Sequence, residues 1–80
     1  MVTAAQIRAA RALVGWNGAE LAKQAGVSLQ TIRRMESDLG PGRSSAANVA
    51  AVQRALESAG VVFVAAEGNG IGPGVRLKQG

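Results

Sequence analysis

Cysteine, histidine and tyrosine are absent from this chain, tryptophan and phenylalanine occur once each, and proline twice. Without cysteine there is no disulfide, and without cysteine or histidine the usual zinc ligand sets cannot be assembled. The same gaps remove two common catalytic groups, and the five carboxylates are scattered without a recognisable pair. No catalytic residue is assigned, and an enzyme is not expected. Long apolar runs are missing too. No stretch approaches the roughly 20 residues of a membrane span, and MVTAAQIRAARALV is interrupted by Arg8 and Arg11, which leaves no apolar core of signal-peptide length. The expectation is a cytoplasmic protein with no metal, no other cofactor and no membrane partner.

What is present is compact in scale. Eighty residues with 48% hydrophobic content make one small domain with a modest core, mostly alanine and valine around Trp16 and Phe63. So small a chain often needs a staple, and with disulfides and metal excluded, self-association is the one left. Nine Lys+Arg against five Asp+Glu give a net charge of +4. That balance fits a polyanion partner, and it fits unpatterned solvation equally well.

Along the chain the helix signals are local and sharp. Thr3 with Gln6 matches a capping box, Ile7, Ala10, Arg11 and Val14 recur at helical spacing, and Gly15 is a natural stop. Asn17 with Glu20 repeats the box, Leu21, Ala22 and Ala25 form the stripe, and Gly26 ends it. Ser28 caps a third helix through Met35, and Leu39-Gly40-Pro41-Gly42 reads as loop. A fourth helix is expected from Ser45 to Ser58, burying Val49, Val52, Ala55 and Leu56. The period then changes. Val61–Ala66 and Val75–Lys78 read as two short strands around the loop GNGIGPG. That glycine-rich loop lacks the Lys-Ser/Thr ending of a P-loop and no helix follows it, so it is not read as a phosphate cradle.

The segment AELAKQAGVSLQTIRRME sets two short helices on either side of a tight corner. On a wheel of about 100° per residue, Ile32 and Met35 define the buried side of the second helix. Gln30 and Arg34 fall opposite, with Arg33 flanking them and Leu29 and Thr31 at the borders. Ala22 is small where the helices must approach, Gly26 can adopt positive φ, and Val27 plugs the corner. Together these meet the spacing of a helix-turn-helix.

With those residues in place, NGAELAKQAGVSLQTIRRME (Asn17–Glu36) resembles the lambda-repressor-like helix-turn-helix of Cro and XRE-type regulators, and the preceding RAARALVGW resembles that family's first helix. The resemblance covers residues 1 to about 59. It implies a mainly α fold, a four-helix DNA-binding domain over residues 1–59; the two-strand β-hairpin tail over 60–80, read from the strand pattern, stands where that family usually has a fifth helix. It also implies that helix 28–36 enters the major groove of double-stranded DNA and that dimers read half-sites about 34 Å apart. Base-reading positions then correspond to Leu29, Gln30 and Arg34, and phosphate-contacting ones to Gly18, Ser28, Thr31, Arg33 and Arg43. An arginine on the first helix and the glutamate ending the third pair structurally in that family, which here are Arg11 and Glu36. Gly18 departs from the family's usual glutamine, so only its backbone amide is left for a phosphate.

Each role has a plainer alternative. Arg34 could pair with the O6 and N7 of guanine, or make only a phosphate contact; Gln30 could pair with the N6 and N7 of adenine, or be solvated. Leu29 either touches a thymine methyl or finishes the core. Trp16 is read as core. The function expected is a sequence-specific transcriptional regulator, with repression the more economical sign. A homodimer is expected through Val61, Val62, Phe63, Val64, Val75 and Leu77, the alternative being a hairpin folded back on its own helices. The alternative is an antitoxin-like module that holds a protein partner and binds DNA secondarily.

Overall fold

A computed structural model describes residues 2–79. Four helices, α1 (Ala4–Val14), α2 (Gly18–Ala25), α3 (Leu29–Met35) and α4 (Ala46–Ser58), precede two strands, β1 (Val61–Val64) and β2 (Gly74–Leu77). The fold is mainly helical with a C-terminal antiparallel hairpin. Each helix begins on a side-chain cap. Thr3 and Gln6 form a complete capping box, as do Asn17 and Glu20, while Ser28 and Ser45 each accept the amide three residues on. The loop expected at Leu39–Gly42 is more ordered than its glycines imply. Pro41 opens a single 3-10 turn, Pro41–Arg43, because its fixed φ suits a first helical position and its missing N–H is not needed there.

One core serves the whole chain. Ile7 and Ala10 of α1, Leu21 and Ala22 of α2, Ile32 and Met35 of α3, and Val49, Val52 and Leu56 of α4 meet in it, joined by Val2 and Val61. Ile7, Leu21, Met35 and Leu56 are fully buried. Burial of such a side chain contributes about 1.5–3 kcal/mol. Val14, Trp16, Ala25, Val27 and Ala55 are partly buried around its edge.

The hairpin folds back on α1 and α4. Its register pairs Val61 with Leu77, Val62 with Arg76, Phe63 with Val75 and Val64 with Gly74. β1 therefore ends two residues before Ala66, and β2 starts one residue earlier than the sequence pattern indicates. Cross-strand partners share a face. Val61 is buried, and Phe63 and Val75 pack on the core beside it, whereas Val62 and Arg76 lie on the outer face and are exposed. Gln6 ties this unit down. Its Oε1 accepts the Thr3 amide at 2.8 Å, and its Nε2 donates to the carbonyls of Val64 at 3.3 Å and Gly74 at 3.0 Å. At 5% exposure, a side chain with this many polar atoms is stable only when they are bonded.

Candidate nucleic-acid interface

The corner between α2 and α3 is built by backbone geometry. Gly26 sits at φ 72°, in the left-handed region, and its amide donates to the Lys23 carbonyl at 3.3 Å. The Val27 amide donates to the Ala22 carbonyl at 3.0 Å. This pair of bonds satisfies the free carbonyls that end α2 and turns the chain sharply. Ser28 then starts α3. Its Oγ accepts the Thr31 amide at 3.1 Å and lies 2.8 Å from the Thr31 hydroxyl.

The inner side of α3 is fixed by Ile32 and Met35, at 1% and 0% exposure. Its far end is gripped from α1. Arg11 makes two parallel bonds to the Glu36 carboxylate, Nε to Oε2 at 2.9 Å and Nη2 to Oε1 at 3.0 Å, and its Nη1 donates to the Trp16 carbonyl at 3.2 Å. Hydrogen bonding to Glu36 holds the Arg11 guanidinium above its ordinary value, against a smaller opposing effect of burial. Arg8, one turn earlier, donates to the Glu36 carbonyl. Two cations thus face the C-terminal end of α3, where the helix dipole favours positive charge. Sequence reasoning missed Arg8. Its spacing from Arg11 puts both on one face of α1, which was the available signal.

The outer side of α3 is open. Gln30, Arg33 and Arg34 are exposed, and Thr31 and Leu29 are half-buried at its margins. α3 packs on α2 and on the Pro41–Arg43 turn, while the hairpin packs on α1 and α4. Arg43 is exposed on that turn. Two nearby acidic groups are engaged, Glu36 by Arg11 and Glu20 by the Asn17 amide at 3.0 Å, while Asp38, three residues beyond α3, is exposed. The result is a protruding short helix whose free side chains are cationic or amide-bearing, which is the chemistry that meets phosphates and base edges.

A helix-turn-helix family model matches residues 7–59, from the first core residue of α1 to the end of α4. The chain belongs to the Cro/C1-type helix-turn-helix family. No curated protein matches it. As a Cro/C1-type protein it is a DNA-binding helix-turn-helix regulator, from a family that is not typically enzymatic. No helix among the described residues is long and apolar enough to cross a membrane. The matched span stops short of the hairpin, so Gln6 and the β strands of this Cro/C1-type chain lie outside the matched unit.

The remaining candidate residues fall in two places. Gly18 opens α2 beside α3, and a Cβ built on it would stand 3.1 Å from the Leu29 Cδ1. Leu29 therefore lies over α2 and against the core as well as beside the open face. Of the tail residues, Val61, Phe63 and Val75 pack inward in their own chain, and Val62 and Leu77 remain exposed, at 37% and 44%.

Proposed function

We propose that this chain is a sequence-specific transcriptional regulator of the cytoplasm that reads the major groove with α3 and acts as a repressor by occupying its operator. The observation that carries this reading is the division of α3: a buried Ile32–Met35 side, an end held by Arg8 and Arg11, and an exposed Gln30–Arg33–Arg34 side. Arg34 donates to the O6 and N7 edge of guanine, Gln30 pairs with adenine, and Leu29 offers its outward methyl to thymine. Arg33, Arg43, Thr31, Ser28 and the Gly18 amide contact phosphates, which supply affinity and its salt dependence. Repression is the simplest consequence of such occupancy, since blocking a site requires no surface beyond the DNA-binding unit.

Selecting duplexes from a random pool tests the reading. A common core sequence should emerge, and the selected duplex should outcompete bulk DNA by a thousandfold or more at fixed salt, the lower end of what specific binders reach. A pool that stays random after selection would overturn it.

The regulator works as a homodimer joined through the hairpin. In an antiparallel ladder the hydrogen-bonded pairs alternate. Lys78 donates to the Gly60 carbonyl at 2.7 Å, which turns the backbone groups of the even-numbered β1 residues toward β2 and leaves those of Val61 and Phe63 on the outer edge. An edge of this kind pairs readily with a second strand, and Val62 and Val64 of the outer face would meet their copies across it. The inward residues Val61, Phe63 and Val75 contribute by holding the hairpin in place. The mass of the full chain in solution should be that of two copies, and Val62→Lys should shift it to one copy while leaving the helical signal unchanged. A dimer that persists in Val62→Lys at micromolar concentration would place the interface elsewhere.

A further inference from the structure

We propose that Gly18 is a positioning residue for sequence reading that acts through Leu29; this rests on the regulator reading above. Backbone geometry does not require glycine at this first position of α2, because Gly18 lies outside the left-handed region occupied by Gly15, Gly26, Gly40, Gly60 and Gly70. What its missing side chain provides is space. A Cβ at position 18 would come within 3.1 Å of the Leu29 Cδ1 and 4.0 Å of the Ile32 Cγ2. The first distance is tighter than ordinary van der Waals contact, so Leu29 would have to give way by a few tenths of an ångström.

Leu29 is the first residue of α3 and stands next to Gln30, the first long polar side chain on the open face. Seated over Gly18, it is half-buried and packs against the core. The bare α-carbon of Gly18 therefore sets the depth of Leu29, and with it how far an apolar surface projects where α3 enters the groove. A Cβ at 18 moves Leu29 off this seat. The contact with a thymine methyl, which falls off steeply with distance, changes accordingly.

The test replaces thymines of a selected duplex by uracil one at a time, which removes only the methyl. The wild-type chain should lose roughly fourfold in affinity at one thymine, what burial of one such group gives. Gly18→Ala should change that loss by about twofold or more, a larger change than it makes in random-duplex affinity. Leu29→Ala should abolish the thymine preference, and Gly18→Ala added to Leu29→Ala should have no further effect on it. Thermal melting supplies a readout without DNA: Gly18→Ala should raise Tm more in the Leu29→Ala background than in the wild-type one. Equal weakening of selected and random duplexes by Gly18→Ala would overturn the proposal, as would equal Tm changes in both backgrounds. A wild-type chain that selects no sequence, with the Tm difference intact, would overturn the regulator reading and the reading role of Gly18 with it, while leaving the packing contact standing.

Discussion

Arg34→Ala is expected to weaken binding to a selected duplex by about 1–3 kcal/mol, with a smaller loss on random duplex of the same length. The difference between the two losses is the informative quantity. Among the described residues the Arg34 guanidinium makes no hydrogen bond or ion pair within the chain, so its removal disturbs the fold little. The backbone beneath it is held: the Arg34 carbonyl accepts the Ser37 hydroxyl at 2.6 Å and the Ser37 amide at 3.2 Å. The planar fork loses less entropy per bond formed than a lysine would when it docks two bonds on guanine. Arg34→Lys separates charge from geometry. It keeps the cation and so should retain random-duplex affinity, yet it should lose most of the preference for the selected site. Equal losses on both duplexes would reduce Arg34 to a phosphate contact.

The second large effect concerns the support of α3. Arg11→Met should destabilise the fold by about 2 kcal/mol, between the 0–1 kcal/mol of exposed pairs and the 3–5 kcal/mol of broken buried ones. The intermediate value follows from exposure: the two side chains are 27% and 12% accessible. In a domain of this size that corresponds to a fall in Tm of roughly 10 °C. Glu36→Gln should cost less, because Arg11 keeps the Trp16 carbonyl, whereas Arg11→Met strands a largely covered carboxylate. A double-mutant cycle on Tm checks the coupling between them. On the arginine side pH brings no change. Its folded value is raised, so its stabilisation is complete below the ordinary arginine range and is lost only on passing above it. Arg11→Met should also weaken DNA binding without altering which sequence is preferred, since it loosens the helix as a whole.

Much of the architecture was legible because it is encoded over three or four residues. Thr3 with Gln6 and Asn17 with Glu20 announce helix starts by spacing alone, and Gly26 followed by Val27 announces the corner. The β-branched and aromatic run Val61–Val64 marked the strand, and Ile32 with Met35 marked the inner side of α3. What spacing does not carry is contact between distant segments. Gln6 looks like a cap and nothing more until the hairpin carbonyls arrive from positions 64 and 74. Arg8 looks solvated until the end of α3 lies against it. Gly18 looks like a lost phosphate grip, whereas its missing Cβ makes room for Leu29. The 3-10 turn at Pro41–Arg43 was hidden because glycines on both sides of Pro41 pattern as open loop. Exposure of Gln30 and Arg34 follows from the chain alone, but contact with bases is a property shared with the duplex, so those roles rest on binding measurements.

The measurement that bears most directly on the account is a backbone amide map of the full chain by nuclear magnetic resonance, with and without a selected duplex. The account predicts that the large shifts cluster on Gly18–Ala19, Ser28–Arg34 and Arg43, with Val62 and Arg76 of the hairpin unmoved apart from changes that track dimer assembly. Shifts concentrated on the outer face of the hairpin, with α3 silent, would contradict it.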